Sequence, residues 1–529
     1  MSKPLATPFP GRSHLRQRGR FWDNLIPPWQ NRYAIAALLL GLAFYHAVTL
    51  DSAIINFEDS AVYVVLAEAL TSGQGYTLLS HIGDPAHVQY PPIFPLLLAP
   101  LVYFFGRQPG PMQAMLLTFT LASLLAIYLF LRHREGAKKA LLITAVVGIS
   151  PAFFSYSHQL MSEIPYLCFS FLALHFLCRY TQESRWVTGS GAAAVVFIIL
   201  AYLSRSIGFA LLLTAAFALL FLKPAGRIQH RLVAVGIVVI CTLPALGWSI
   251  RNTAVAHSVS TRSYADTFIA KNEFAADEGI VESPTDLLPR FRRNLSAYGY
   301  GAVALLFPFL RPTREPLVTA AILGLVVLGF VSHLRYRKDG AEVYVAAYGL
   351  ILLLFPSPVV PRYLLPLFPF LLLYVIGGLE TLIYPLGKRL GGWAFVALAT
   401  TLLVANSASA ATVSAVQQGG LADYRSMATW LKDHTPPESV VLSRKPTLLY
   451  LWGHRKGAKF PYTTNAHSVL QVICDKHVNY VVRDSFSPVT ARFLAPVLEH
   501  HQEVFTLVHS QNDTHLFLVN RTPQCEEGI

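Results

Sequence analysis

Long apolar segments recur along the chain and constrain its fold more than any other feature. Several of them reach roughly 17–20 residues, the length that an α-helix needs to cross about 30 Å of hydrocarbon. Of the 529 residues, 53% are hydrophobic and only 13% are charged, whereas soluble proteins carry roughly 25% charged residues. The sequence therefore predicts a polytopic α-helical membrane protein.

Basic residues collect in short clusters between the apolar segments. One cluster, which includes Arg16, Arg18 and Arg20, precedes the first apolar segment. Because cytoplasmic loops carry an excess of lysine and arginine, residues 1–32 are predicted to form a cytoplasmic tail without a cleavable signal peptide. We therefore attribute the formal net charge of +13 to membrane topology and not to binding of nucleic acid.

Two apolar segments, residues 91–105 and 298–310, are short and contain proline or glycine. We interpret both as juxtamembrane or half-inserted helices, because that choice keeps the later basic clusters cytoplasmic. It also makes residues 51–111 one long external loop. Residues 33–411 then form a transmembrane domain with about eleven spans. The predicted spans are 33–50, 112–131, 140–156, 164–180, 187–204, 207–222, 232–250, 316–334, 343–357, 363–386 and 391–411.

From residue 417 onward the composition becomes that of a soluble region. Patterns typical of helices alternate with short apolar runs typical of strands, and residues 504–508 and 516–519 predict a closing antiparallel pair. Residues 417–529 are therefore predicted to form a small extracytoplasmic α/β domain. Cys474 and Cys525 lie in this region, and the sequence leaves open whether they form a disulfide or remain free thiols.

Five charged residues fall at the external ends of the predicted spans, although other residues set the topology. A charge at the centre of a bilayer costs a few kcal/mol, so charged residues at the membrane boundary are partly explained by the lower cost of a charge there. Their common side nevertheless predicts one pocket at the outer membrane boundary. The five residues are Glu58, Asp59, Glu163, Arg205 and Arg362.

Asp59 is the candidate catalytic base. It lies four residues before Tyr63, so both share one face of a helix. A carboxylate there can accept the proton of an attacking hydroxyl group, which contributes about 10²–10⁴-fold in rate. The structural alternative is a helix N-cap. Glu58 is the second candidate catalytic residue, either as a solvated neighbour or as a group that raises the pKa of Asp59 by like-charge repulsion.

Glu163 is a candidate ligand for the acceptor or for a divalent cation such as Mg or Mn, with Asp59 as the second metal ligand. The alternative is an acid placed at a helix start by the helix dipole. Arg205 and Arg362 each interrupt apolar sequence, and a guanidinium fork suits a phosphate group at the membrane surface. Snorkelling toward lipid headgroups is the alternative for both arginines.

The motifs around these residues resemble, in order and spacing, those of GT-C fold membrane glycosyltransferases. The most similar group is the bacterial branch related to aminoarabinose transferase and the protein O-mannosyltransferases. The resemblance covers roughly residues 30–410. The motifs are EDSAVY (58–63), GQGY (73–76), YPPIFPL (90–96), SEIP (162–165), SRSIG (204–208) and PRYLLP (361–366).

This resemblance implies that a sugar is transferred from a polyprenyl-phosphate carrier to an extracytoplasmic lipid, glycan or protein, with inversion at the anomeric carbon. It also implies a multi-pass protein of the bacterial inner membrane. Asp59 would assist the acceptor, while Glu163, Arg205 and Arg362 would handle metal or phosphate. One departure is Tyr90, which stands where aminoarabinose transferases carry lysine. The sugar and the lipid A acceptor of that enzyme are therefore not carried over.

Two other functions remain open at this point. A flippase or transporter for lipid-linked glycans would more often show repeated halves and broken helices with polar groups near the midplane. A glycan polymerase or ligase would favour a long external loop with catalytic arginine or histidine, to which residues 251–297 are only modestly suited. The sequence thus favours a glycosyltransferase whose partners are a polyprenyl-phosphate sugar and membrane lipid, and it leaves the oligomeric state open.

Overall fold

A computed structural model describes residues 30–50, 53–223, 228–255, 263–275, 278–337, 339–383, 397–406 and 419–520 of the chain. Almost all of the predicted cytoplasmic tail, part of the last predicted span and Cys525 lie outside these residues. Within the described ranges, helices dominate up to residue 406, and the named strands all follow residue 440.

The helices before residue 407 pack against one another as a bundle with a hydrophobic core. Their order follows the predicted order of apolar segments closely. They are α1 (Gln30–Val48), α2 (Glu58–Thr71), α3 (Ile93–Phe105), α4 (Pro109–Glu135), α5 (Ala137–Ile149), α6 (Pro151–Ser157), α7 (Glu163–Gln182), α8 (Gly189–Ser204), α9 (Phe209–Phe217), α10 (Ile228–Val255), α11 (Tyr264–Ile269), α12 (Leu287–Leu306), α13 (Pro316–Tyr336), α14 (Ala341–Leu354), α15 (Phe368–Ile383) and α16 (Ala397–Asn406).

Four of the described helical segments are long and apolar enough to cross a membrane, judged by length and composition. They are α4, α10, α13 and the segment Arg362–Ile383, which includes α15. The number rises to five if the bent pair of α5 and α6 forms one span. Six further apolar helices have 10–17 residues. A polytopic helical organisation is therefore supported, and the total of about eleven spans stays a prediction.

The predicted span at residues 140–156 is not one straight helix. Instead, α5 and α6 meet at an angle of 63°. The Ser150 hydroxyl caps α6 by accepting a hydrogen bond from the Phe153 N–H, and Pro151 occupies the first turn, where no N–H is needed. A new helix therefore begins at Pro151, which turns the chain toward the start of α7.

The predicted half-helix at residues 298–310 is also corrected. It is the second half of α12, whose first half falls in the predicted polar loop. Arg290 accounts for the difference, because its guanidinium donates hydrogen bonds to the carbonyl oxygens of Phe268, Ala270 and Leu354 at 2.6–2.9 Å. These bonds hold the polar side of α12 against neighbouring chain, so polar residues that look like a loop belong to a helix.

The described C-terminal region, residues 419–520, contains a five-stranded sheet in the order β2-β1-β3-β5-β4. Strand β1 lies parallel to β2 and β3, and β5 pairs antiparallel with β3 and β4. The predicted closing antiparallel pair is thus confirmed. The elements are α17 (Gly419–His434), β1 (Val441–Leu442), α18 (Pro446–Gly453), β2 (Gly457–Ala458), α19 (Ala466–Asp475), β3 (Tyr480–Arg483), α20 (Ala495–His500), β4 (Phe505–Gln511) and β5 (Thr514–Val519).

The C-terminal region packs directly on the first external loop. Val64 and Leu66 of α2 are fully buried and belong to the same hydrophobic cluster as Tyr424, Met427 and Leu448. Burial of such side chains contributes roughly 1.5–3 kcal/mol each. The loop and the C-terminal region therefore share one core, and the proposed domain boundary at residue 417 lies outside the described residues.

Candidate active site

The four predicted site residues Asp59, Glu163, Arg205 and Arg362 all sit where a helix begins or breaks. Asp59 is the second residue of α2, and Glu163 is the first residue of α7. Arg205 lies between α8 and the short 3-10 helix Ser206–Gly208. Arg362 begins the 3-10 helix that precedes α15. Carboxylates at helix starts are favoured by the helix dipole, which explains how two acids are tolerated beside an apolar bundle.

These four side chains meet in one chain of ion pairs. Arg362 contacts both acids: its Nη2 atom lies 2.7 Å from Asp59 Oδ2, and its Nε atom donates to Glu163 Oε1. Arg205 Nη1 approaches the same Glu163 oxygen at 2.5 Å. The structure therefore brings together residues that are about 300 positions apart in sequence, as predicted. The roles assigned to them stay predictions.

The two acids differ in their exposure. The side chain of Asp59 is 21% exposed, whereas that of Glu163 is 2% exposed. Glu163 Oε2 is buried and has no hydrogen-bond partner among the described residues. Glu163 is buried and contacts both arginines, whereas Asp59 is partly exposed. Asp59 is therefore the acid that an incoming acceptor can reach first.

Tyr90 completes the coordination of Asp59, a contact that the sequence reasoning did not foresee. Its hydroxyl group donates a hydrogen bond to Asp59 Oδ1 at 2.7 Å. Burial, followed by the charge of Asp59, raises the pKa of Tyr90 well above its usual value, so the phenol stays protonated and remains a donor. The residue that replaces the lysine of the similar enzymes thus binds the candidate base directly.

The backbone of Tyr90 is itself held in place. The Nε2 atom of His87 accepts a hydrogen bond from the Tyr90 N–H at 2.9 Å. Burial and the nearby Lys459 lower the pKa of His87 to about 3, so its ring is neutral and can accept at neutral pH. A single loop histidine carries no distinguishing sequence pattern, so this contact of His87 is apparent only from the structure.

The surroundings of Asp59 keep it ionised. Burial alone raises the pKa of Asp59, but the charge of Arg362 and the hydrogen bonds from Tyr90 and Arg362 outweigh that effect, so the pKa lies below its usual value. The alternative that Glu58 raises this pKa by like-charge repulsion stays a prediction.

Glu58 has different partners from Asp59. Its two carboxylate oxygens accept hydrogen bonds from the backbone N–H groups of Thr447 and Leu448, at 3.1 and 3.3 Å. Thr447 and Leu448 belong to the first turn of α18, where unpaired N–H groups and the helix dipole favour a carboxylate. The contacts that the structure gives Glu58 thus join the first external loop to the C-terminal region, and they do not include the acids or arginines of the site.

The predicted metal ligands do not fit a divalent cation in this arrangement. Asp59 and Glu163 are bridged by the guanidinium of Arg362, which holds the place between the carboxylates that a cation would need. Among the described residues, no group of three His, Cys, Asp or Glu side chains is close enough to hold a metal ion. No step of the reaction is therefore assigned to a metal.

The structure answers in part the question of a disulfide, which the sequence leaves open. Cys474 is disulfide-bonded, while its predicted partner Cys525 lies outside the described residues. The free cysteines of the described part, Cys168, Cys178 and Cys241, are buried, as expected for small core residues.

Comparison with known proteins adds the fold to this geometry. Residues 89–248, less than half of the chain, match the family described as dolichyl-phosphate-mannose-protein mannosyltransferase. The comparison with curated protein sequences gave no match.

Two solved structures share the architecture across nearly the whole chain. The oligosaccharyltransferase of Archaeoglobus fulgidus is 13% identical, with a TM-score of 0.58 over 94% of this chain and 75% of that protein. ArnT from Cupriavidus metallidurans is 14% identical, with a TM-score of 0.54 over 92% of this chain and 97% of that protein. The chain has the GT-C fold. The predicted resemblance is thereby confirmed at the level of the fold, which is that of membrane glycosyltransferases.

Proposed function

We propose that this protein is an integral-membrane glycosyltransferase that moves a sugar from a polyprenyl-phosphate carrier to an extracytoplasmic acceptor, with inversion. The observation that carries the proposal is the linked set Asp59, Arg362, Glu163 and Arg205, with Asp59 at its exposed end. One carboxylate that an acceptor can reach and two adjacent guanidinium groups are the parts that base-assisted displacement of a phosphate requires.

The similar structures support the choice of donor. The Cupriavidus metallidurans protein was crystallised with undecaprenyl phosphate. The structure of the archaeal oligosaccharyltransferase was solved in complex with an inhibitory peptide and a dolichol-phosphate. Polyprenyl phosphates thus bind two proteins of this fold, and the arginine pair offers a phosphate site here. The disulfide at Cys474 also fits an extracytoplasmic C-terminal region.

The proposed reaction is a single displacement. The acceptor hydroxyl oxygen forms a bond to the anomeric carbon while the bond from that carbon to the phosphate oxygen breaks. The hydroxyl proton passes to Asp59, and the electron pair of the broken bond remains on the lipid phosphate. Since the acceptor approaches opposite the leaving phosphate, the anomeric configuration inverts.

Donor binding also adjusts the base. Arg362 pairs with Asp59 and holds its pKa low, which makes Asp59 a weak base. A phosphate bound by Arg205 and Arg362 neutralises part of that positive charge and adds a negative charge nearby. Both changes raise the pKa of Asp59. The carboxylate therefore becomes more basic when the donor is in place, which delays proton transfer until the donor is bound.

The test is Asp59→Asn in purified protein reconstituted with a panel of polyprenyl-phosphate sugars and envelope extract as acceptor. We expect transfer to fall by about 10²–10⁴-fold, while donor binding and the thermal unfolding midpoint stay near wild type. Asp84→Asn is the matched control, because Asp84 lies in the same external loop and pairs with Lys456 at 2.6 Å. Wild-type turnover by Asp59→Asn would remove Asp59 from the mechanism.

A further inference from the structure

A second charged site lies where the C-terminal sheet meets the first external loop. Strand β1 leads through α18 to β2 on one side, and β2 leads through α19 to β3 on the other side of β1. The connections therefore diverge at β1. In open α/β sheets, ligands bind outside the carboxyl ends of the strands at such a switch point.

The residues that follow these strand ends are rich in positive charge. Arg444 and Lys445 follow β1, and Lys459 follows β2. None of the three forms an ion pair within 4 Å among the described residues, and Arg444 Nε is buried there without a hydrogen-bond partner. By contrast, Arg107, Arg134, Arg205 and Arg362 are all paired with carboxylates. Arg444 and Lys445 instead lie against aromatic rings, with Lys445 Nζ 4.6 Å from the ring centre of Phe486, and Lys459 is exposed. The crevice at these strand ends therefore has room for an anionic partner of the three cations.

The acids near the crevice are already satisfied by neutral donors. Glu58 accepts the N–H groups at the start of α18. Asp484, which follows β3, accepts the Ser487 N–H at 2.9 Å and the Thr490 hydroxyl at 2.5 Å. The hydrogen-bonding capacity left open in the crevice is therefore that of the donors on Arg444, Lys445 and Lys459.

Aromatic rings and the candidate base lie beside these cations. The Arg444 guanidinium carbon lies 5.0 Å from the ring centre of Tyr462 and 6.0 Å from that of Phe274. Lys445 is within Coulombic range of both Glu58 and Asp59. Because α18 is capped by the residue that precedes Asp59, the carboxyl end of β1 lies next to the entrance of the candidate active site.

We propose that this crevice, formed by Arg444, Lys445 and Lys459, binds a negatively charged group on the acceptor and so positions the acceptor hydroxyl at Asp59. The ligand class is a sugar that carries a phosphate or a carboxylate. The cations bind the anionic group, and Tyr462 offers a flat surface for a sugar ring. The proposal rests on the proposed transferase function, since it assigns the crevice to the acceptor of that reaction.

The test is calorimetric titration of the full-length protein in lipid nanodiscs, with saturating undecaprenyl phosphate so that the arginine pair Arg205 and Arg362 is occupied. The probes are glucose 1-phosphate, glucuronic acid and glucose, which share one ring and differ in charge. We expect at least one charged sugar to bind about tenfold or more tightly than glucose, since hydrogen bonds to charged groups are the stronger ones. Preference for one charged sugar identifies the anionic group as phosphate or carboxylate.

Variants locate the binding site. Arg444→Gln with Lys445→Gln should reduce binding of the charged sugar to the level of glucose, while Arg444→Lys, which keeps the charge, should stay within about threefold of wild type. Arg483→Gln is the matched control, because Arg483 ends the neighbouring strand β3 and lies 3.7 Å from Glu499. Equal binding of charged and neutral sugars, or wild-type binding by the double variant, would overturn the proposal.

The sugar-binding test does not depend on whether Asp59 is the catalytic base. Asp59→Asn should bind the charged sugar at least as tightly as wild type does, because the crevice cations are unchanged and a nearby negative charge is lost. If Asp59→Asn retained full transfer while the crevice variants lost sugar binding, the catalytic role of Asp59 would fall and the acceptor site would stand. If Asp59→Asn lost transfer while the protein bound charged and neutral sugars equally well, the catalytic role of Asp59 would stand and the acceptor site would fall.

Discussion

Two clusters of buried charge lie at opposite ends of α7, and they are built differently. The outer cluster consists of Asp59, Glu163, Arg205 and Arg362, and it includes the first residue of α7. The inner cluster consists of Arg134, Glu135, Asp339 and Glu342, and the thiol of Cys178, near the end of α7, lies 3.6 Å from the carbonyl oxygen of Asp339. A helix of 20 residues is about 30 Å long, close to the thickness of the hydrocarbon core.

The clusters differ most in their contact with solvent. In the inner cluster, the side chain of Arg134 is 1% exposed and that of Glu342 is 3% exposed. In the outer cluster, Asp59 is 21% exposed and Arg362 is 15% exposed. The inner cluster joins α4 to α14 and is most exposed at Asp339, at 13%, whereas the outer cluster is most exposed at Asp59. Paired buried charge therefore occurs in both places, and the two clusters differ in how far a carboxylate reaches solvent.

The largest expected difference concerns stability. Arg134→Gln removes the cation that pairs with Asp339 and Glu342, and removal of one partner of a buried ion pair costs about 3–5 kcal/mol. We expect a lower thermal unfolding midpoint and a lower yield of folded protein, with unchanged transfer per folded molecule. Arg132→Gln is the control, because Arg132 is exposed at the same end of α4. A normal midpoint for Arg134→Gln, or a specific loss of transfer, would erase the distinction between the clusters.

The next effect concerns the donor. Arg205→Ala removes a guanidinium from the proposed phosphate site and should weaken binding of undecaprenyl phosphate by about tenfold to a hundredfold, the value of one or two charge-assisted hydrogen bonds. Arg311→Ala controls for general attraction of lipid phosphate, because Arg311 is an exposed arginine beyond the end of α12. If both variants bind the lipid phosphate equally well, Arg205 only holds Glu163 in place.

The smallest effect concerns pH. Tyr90→Phe removes a hydrogen bond that lowers the pKa of Asp59, so this pKa should rise. Since the base acts in its ionised form, the acid limb of the kcat/KM profile should move to higher pH, with little change above neutral pH. Tyr103→Phe, at an exposed position on α3, is the control. An unmoved acid limb would show that this limb does not report Asp59.

The sequence was sufficient to predict the outer cluster but not its internal arrangement. The basic clusters predict which ends of the spans face outward. This predicted topology is enough to put the four residues of the outer cluster on one side: Asp59, Glu163, Arg205 and Arg362. Glu58 and Asp59, by contrast, are neighbours with different partners. Successive residues of a helix point about 100° apart. The partner that each side chain meets comes from a distant part of the chain: Glu58 accepts a hydrogen bond from Thr447, 389 positions away.

Other differences have local causes. The break at Ser150 and Pro151 lies inside an apolar run, and hydropathy does not separate a bent pair from one helix. Strand β2 has only two residues, too few for an alternating pattern to be seen. The polar half of α12 is stabilised by bonds from Arg290 to distant carbonyl oxygens, which local sequence does not reveal.

The central claim is that the outer cluster faces the extracytoplasmic side and the inner cluster faces the cytoplasm. It is tested most directly by single cysteines at Ser72, exposed at the end of α2, and at Arg132, exposed at the end of α4, in sealed right-side-out vesicles treated with a membrane-impermeant maleimide. We predict that Ser72→Cys reacts at once and that Arg132→Cys reacts only after the vesicles are permeabilised. Labelling of both positions from the same side, or in the reverse order, would contradict the account.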